Sequence, residues 1–244
     1  MRTLALAAVS LAALGTAAGA ADLPMPYKAP PPAPIAGGWT GFYLGLNGGG
    51  GIGLTRSDFS VGGVTFATVR NTLPGPLGGV QAGYNWQMGA AVIGLEADYQ
   101  LSNLTGGISA PCAPGLCNAA ALTATYGQKV PWFGTVRGRL GYSQGSWLFY
   151  VTGGYTYARL DTNAFAAAGG VSAAFSQHEN RNGWNIGTGI EVMLTPNWTA
   201  RIEYLYLDLG TRSTSLSFPA LPLTVVDSAR MELHVGRLAV NYKF

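Results

Sequence analysis

Val80-Gln81-Ala82-Gly83-Tyr84-Asn85-Trp86-Gln87-Met88 and, beyond Gly89-Ala90, Val92-Ile93-Gly94-Leu95-Glu96-Ala97-Asp98-Tyr99-Gln100-Leu101 carry the pattern that decides the fold. Val80, Ala82, Tyr84, Trp86 and Met88 alternate with Gln81, Gly83, Asn85 and Gln87. Ile93, Leu95, Ala97, Tyr99 and Leu101 alternate with Gly94, Glu96, Asp98 and Gln100. Side chains on a strand point to opposite faces in turn, so a period of two means one apolar and one polar face. The short Gly-containing link between the runs makes them an antiparallel hairpin.

The same period recurs along the chain. Phe42, Leu44 and Leu46 share one face, as do Trp132, Val136, Leu140 and Tyr142. Phe149, Val151, Tyr155 and Tyr157 follow, then Trp184, Ile186, Ile190, Val192 and Leu194, then Ala200, Ile202, Tyr204 and Tyr206, and finally Leu238, Val240, Tyr242 and Phe244. Strands are expected near 39–54, 78–88, 91–103, 130–143, 147–159, 183–194, 198–209 and 230–244. The uncharged stretch Leu140–Ala158 has the length of a membrane helix. It is interrupted by Ser143-Gln144-Gly145-Ser146 and Gly153-Gly154 and reads instead as two strands and a turn. Short links at Gly89-Ala90, Ser143–Ser146 and Thr195-Pro196-Asn197 alternate with long ones at roughly 55–77, 104–129, 160–182 and 210–229. The expected architecture is an all-β, eight-stranded, antiparallel up-and-down transmembrane barrel with short periplasmic turns and four long extracellular loops.

Composition says which solvent the apolar face meets. Of 244 residues, 10% are charged and 48% hydrophobic, with 36 glycines; an ordinary soluble domain is about 25% charged. The mean hydropathy is +0.21. Disorder, coiled coil and collagen are excluded by this composition and the lack of their repeats. A net charge of +3, dispersed along the chain, excludes a nucleic-acid partner.

The polar face carries Glu96, Asp98, Glu191 and Glu203 against Arg137, Arg139, Arg201 and Arg237, a balanced set suited to a narrow lumen where each charge finds a partner. The other face is almost uncharged and suits hydrocarbon. Trp86, Trp147 and Trp198 lie at short-turn ends, with Trp39 ahead of the first strand. Trp132 and Trp184 lie at long-loop ends near Tyr99, Tyr157 and Tyr206, giving two aromatic belts.

Residues 1–20 read as a cleaved signal peptide: Arg2, an apolar Leu4–Leu14 core and Ala18-Gly19-Ala20 before Ala21. Residues 21–38 read as a Pro-rich periplasmic tail favouring extended polyproline II, and 39–244 as the barrel. Export places Cys112 and Cys117 in an oxidising compartment, where a small intraloop disulfide is the expectation; a metal site there lacks nearby His or acidic ligands.

The final segment, ending Tyr242-Lys243-Phe244, resembles the C-terminal signal read by the bacterial barrel-assembly machinery, with Ala239 where that signal usually has Gly. Ala21-Asp22-Leu23-Pro24, Trp39-Thr40-Gly41-Phe42-Tyr43-Leu44-Gly45, Gly187-Thr188-Gly189-Ile190-Glu191 and Trp198–Tyr206 together resemble the alphaproteobacterial outer-membrane immunogenic proteins, small porin-family barrels related to OmpA-type domains. The resemblance covers nearly all of the chain after residue 20. It implies a barrel of eight strands that supports envelope integrity and exposes antigenic loops, and it carries over no catalytic residue.

Apparent catalytic motifs fail on context. Gly48–Gly53 satisfies G-x-G-x-x-G without a following helix, and Gly141–Gly145 satisfies G-x-S-x-G with a strand after Ser143. His178 beside Glu179 is no dyad in an extended strand, because neighbours face opposite sides. Neither enzymatic activity nor a cofactor is expected. The expected partners are outer-membrane lipid and lipopolysaccharide, the assembly machinery, and host or surface ligands reached through the loops. Three roles remain open: a structural barrel, a narrow porin for small solutes, and a surface binder such as an adhesin or haem-binding barrel.

Overall fold

The structure, a computed structural model, describes residues 38–111, 123–168, 171–218 and 223–244. The strands are β1 (Gly41–Val61), β2 (Val64–Met88), β3 (Ala91–Pro111), β4 (Thr123–Gln144), β5 (Trp147–Ala168), β6 (Val171–Met193), β7 (Trp198–Phe218) and β8 (Leu223–Lys243). Each pairs antiparallel with the next, and β1 closes on β8 from Tyr43↔Lys243 to Ser60↔Val226. No helix among the described residues is long and apolar enough to cross a membrane. Leu140–Ala158 is divided between β4 and β5, which pair down to Gln144↔Trp147. Residues 1–37 lie outside the described residues, as do Cys112 and Cys117.

The strands run well past their expected ends. The segment 55–77, expected as a loop, is a continued hairpin closed by Gly62-Gly63, whose φ values are 57° and 84°. Two successive positive φ values match the twist of a tight hairpin and favour glycine at both positions. Much of 104–129, 160–182 and 210–229 is strand as well. The apolar alternation stops where lipid stops, while the backbone ladder continues into water with polar residues on its outer face. Apolar periodicity therefore locates the membrane, not the strand termini.

Outward residues across the middle of the wall are large and apolar. Trp86, Trp147, Trp184 and Trp198 are exposed on this face, and Trp132 stacks at 5.7 Å on both Tyr99 and Tyr157. The stretch from Trp132 to Tyr142 on β4 spans about 25 Å along the membrane normal, at ~3.3 Å per residue and ~40° tilt. Trp39 does not join a belt. It is 2% exposed and clusters with Val92, Leu148, Tyr150 and Met193. It sits just before β1 at the end where both termini of the barrel lie, its backbone N–H donating to Gln87 Oε1 at 2.7 Å.

The barrel interior has two unlike halves. Toward the short turns it holds the Trp39 cluster and, above it, the charges. Toward the outer end it is a packed apolar core of Leu73, Leu77, Leu104, Val130, Phe133, Leu160, Leu205, Leu207, Met231, Leu233 and Val235, with Ala158 and Leu209. Around Leu205 and Leu207 both faces of β7 are apolar, and only the parity carried up from Arg201 and Glu203 marks these two as inward.

Two ladders end early. β2–β3 pairing stops at Leu77↔Ser102, although β1–β2 pairing continues through Pro76 and Pro74. Proline lacks the N–H that the β3 side would need. β6–β7 pairing stops at Trp184↔Asp208. There a bulge shifts the β7–β8 register between Asp208 and Thr211, with Gly210 at φ 68° and its N–H donating to Asp208 Oδ1 at 2.7 Å. Above it β6 and β7 are joined by Glu179–Arg212 at 3.8 Å rather than by a backbone ladder. In hydrogen exchange on the folded protein, alternate amides of 172–182 should exchange orders of magnitude faster than those of 185–192. Uniform protection along β6 would contradict this pairing.

Candidate functional site

The inward positions of β3, β4, β6, β7 and β8 bring the eight sequence-predicted charges into one buried network. Arg137 is 1% exposed. Its guanidinium donates to Glu96, lies 2.9 Å from Asp98 Oδ2 and 3.3 Å from Glu203 Oε1. Arg201 grips Glu96 through two parallel bonds, of 2.5 and 2.9 Å. Arg237 donates from Nε to Glu203 at 2.7 Å and reaches Asp98 at 3.2 Å. Arg139 pairs with Glu191, whose Oε1 also accepts from Thr199 at 2.5 Å and Asn241 at 2.9 Å.

Some pairs are register neighbours, such as Glu96↔Arg137 and Glu203↔Arg237. Others span the lumen. β3 and β7 stand on opposite sides of the ring, and the Arg201–Glu96 fork joins them. Arg201 is the register partner of Glu191 but reaches across to Glu96, leaving Glu191 to Arg139. Strand parity predicts that these residues face inward; only closure of the barrel decides who meets whom.

Two tyrosines complete the network and were not singled out by the sequence. Tyr43 donates to Glu96 Oε2 at 2.6 Å, and Tyr150 to Glu203 Oε1 at 3.1 Å. The Tyr43 ring lies where a side chain at Gly83 would stand, and the Tyr150 ring where one at Gly189 would stand. The Arg139 guanidinium covers Tyr150 at 3.7 Å. The arrangement is a repeat: Tyr43, Gly83, Glu96 and Arg137 on β1–β4 correspond to Tyr150, Gly189, Glu203 and Arg237 on β5–β8. The signal is present in the sequence as Phe42-Tyr43 with Leu95-Glu96, and again as Phe149-Tyr150 with Ile202-Glu203. Asn47, Gln81 and Asn241 extend the network, with Asn47 donating to Gln81 at 2.9 Å and Gln81 to Asn241 at 2.5 Å.

Every carboxylate in the network is engaged by arginine, which leaves no free base beside a nucleophile. Among the described residues no group of His, Cys, Asp or Glu is arranged to hold a metal ion. Ser143 lies in β4 next to a hairpin turn, and Gly48–Gly53 lies within β1. His234 Nδ1 is 2.7 Å from the Tyr204 hydroxyl. His178 Nδ1 is 2.7 Å from Asp161 Oδ1, on the neighbouring strand rather than from Glu179. Burial works against the Asp161 charge, but hydrogen bonds from Arg159 and His178 outweigh it and hold the carboxyl below its usual range. The terminal aromatics lie on the lipid face: Tyr242 stacks on Trp198 at 5.1 Å and on Phe244 at 5.2 Å.

Removing one member of a buried charge network leaves its partners desolvated and uncompensated, at a cost of about 3–5 kcal/mol. Arg137→Ala should lower the denaturant midpoint of the detergent-folded barrel accordingly, whereas Arg159→Ala at the exposed rim should change stability by less than about 1 kcal/mol. Equal midpoints for Arg137→Ala and the parent would contradict the network's structural weight.

The chain matches known outer-membrane proteins over most or all of its length. It is 37% identical to the 31 kDa outer-membrane immunogenic protein of Brucella melitensis, over all of both chains. It is 31% identical to the 22 kDa outer membrane protein of Rhizobium leguminosarum bv. viciae, over 76% of this chain and 71% of that one. The outer membrane protein OprG of Pseudomonas aeruginosa shares the fold, with a TM-score of 0.55 at 16% identity, covering 86% of this chain and 99% of that one. Residues 4–244 match the model of the outer membrane protein beta-barrel domain, and the chain belongs to that family: it is an outer-membrane β-barrel.

Proposed function

We propose that this protein is a non-enzymatic structural barrel that supports envelope integrity and presents its outer hairpins at the cell surface. The observation that carries this reading is the succession of buried side chains that bridges the lumen. The Trp39 cluster, the charge network and the apolar core succeed one another along the axis, and side chains suffice to fill an interior formed by about eight strands. The names of the Brucella relatives, immunogenic outer-membrane proteins, support surface presentation. Lipid and lipopolysaccharide are the partners of the wall. Tyr242 and Phe244 are the residues we assign to recognition by the assembly machinery, and residues 1–20 to a cleaved export signal.

A narrow solute pore is the competing role, and lumen filling separates the two. Reconstituted in planar bilayers, the full chain should show no sustained open level above leakage, and loss of the protein should sensitise cells to detergent. A reproducible single-channel conductance in the parent would favour the pore.

A further inference from the structure

Arg70 on β2, Arg56 on β1 and Arg230 on β8 stand directly opposite one another in the ladder, Arg70↔Arg56↔Arg230. They share parity with the lipid-facing residues of these strands, such as Leu54, Val80 and Leu238, so all three point outward. Directly opposed like charges destabilise a sheet. Arg230 is held by Asp208 and Glu232, each at 2.9 Å, and Arg56 leans on Asp58 at 3.3 Å. The side chains of Arg56 and Arg230 remain 55% and 54% exposed. Arg70 is exposed and makes no hydrogen bond or ion pair with the described residues, its charge acting on Asp58 only through space. The row lies four residues above Ile52, Tyr206 and His234, which pair across β1, β8 and β7. That is about 10 Å along the membrane normal at ~40° tilt, the depth of lipid headgroups.

The wall below the row is unusual on the same three strands. Gly78, Gly48, Gly50 and Gly236 face outward and are cross-strand neighbours, through Gly48↔Gly78 and Gly50↔Gly236. None has a positive φ. A side chain at Gly236 would meet nothing within 4 Å, and one at Gly48 or Gly50 would meet only a backbone oxygen at 3.9 or 3.7 Å. No contact within the chain excludes a larger residue, although glycine weakens a strand and often marks close approach from outside.

We propose that Arg70 and Arg56, with Arg230 beside them, bind the phosphate groups of a phosphorylated outer-leaflet lipid whose acyl chains lie along the glycine-floored wall beneath. Guanidiniums match phosphate oxygens in paired geometry, and the arginine row is the charge complement that selects this occupant for the apolar wall. The site rests on the barrel's membrane setting and is independent of whether the lumen conducts.

The test uses the full chain folded in detergent, with correct folding verified by its unheated electrophoretic migration. Fluorescent lipid A carrying its phosphates is the probe; dephosphorylated lipid A and inorganic phosphate are the competitors. Dephosphorylated lipid should compete at least about tenfold more weakly than the phosphorylated form, a difference of ~1.4 kcal/mol, and millimolar inorganic phosphate should not displace the probe. Arg70→Gln, which breaks no hydrogen bond or ion pair within the protein, and Arg56→Gln/Arg70→Gln should weaken binding by about the same factor. Arg159→Gln on the far wall should leave it unchanged. Gly236→Leu should weaken binding with the arginines intact. Unaltered affinity in the double variant, equal loss in Arg159→Gln, or full displacement by inorganic phosphate would overturn the proposal.

Discussion

Hydrocarbon offers no partner to a backbone N–H or C=O, and each unpaired group there costs several kcal/mol. That constraint makes a sheet in lipid close on itself, and the β1–β8 ladder is where this chain meets it. Pairing is continuous around the ring through the belted zone. Two ladders end at Leu77↔Ser102 and Trp184↔Asp208, and the irregularities at Leu101/Leu104, Lys129/Trp132 and Asp208/Thr211 likewise lie toward the outer end of the barrel. Above those points water can take over as hydrogen-bond partner, so proline in β2 and a bulge in β7 are tolerated.

Closure turns one sheet face into an interior only a few side chains wide. Carboxylates and guanidiniums placed there lose bulk water and must satisfy one another. The result is a ring of inward residues braced across its diameter. Arg201 spans from β7 to Glu96 on β3, and Arg137 and Arg237 each bridge several acids. Glycine at 83 and 189 gives the Tyr43 and Tyr150 rings room against the wall, so their hydroxyls reach the carboxylates. The outer half of the interior is filled mainly by leucine and valine, with Arg181 buried among them and donating to the Ala229 carbonyl at 3.0 Å.

How each half reads from sequence follows from contrast. In β3, Leu95-Glu96-Ala97-Asp98-Tyr99 alternates sharply, so the inward faces of Glu96 and Asp98 are legible. In β7, Tyr204-Leu205-Tyr206-Leu207 has apolar residues on both sides, so the inner core formed by Leu205 and Leu207 is marked only by its parity with Arg201 and Glu203. Trp39 stands alone before its strand with no alternating neighbours to orient it. It resembled a belt residue until its burial beside Val92 and Leu148 placed it in an interior cluster.

The sequence by itself determined the period of two, the even set of strands, the lipid-facing wall and the inward parity of the charges, because these depend only on the geometry of an extended chain and the solvent each face meets. The tertiary structure decided where strands end, which charge pairs with which, how the outer lumen is filled, and that arginines distant in sequence stand in one row. Those outcomes depend on register and closure. Both are set by contacts between strands that can lie more than a hundred residues apart, and no local periodicity encodes them.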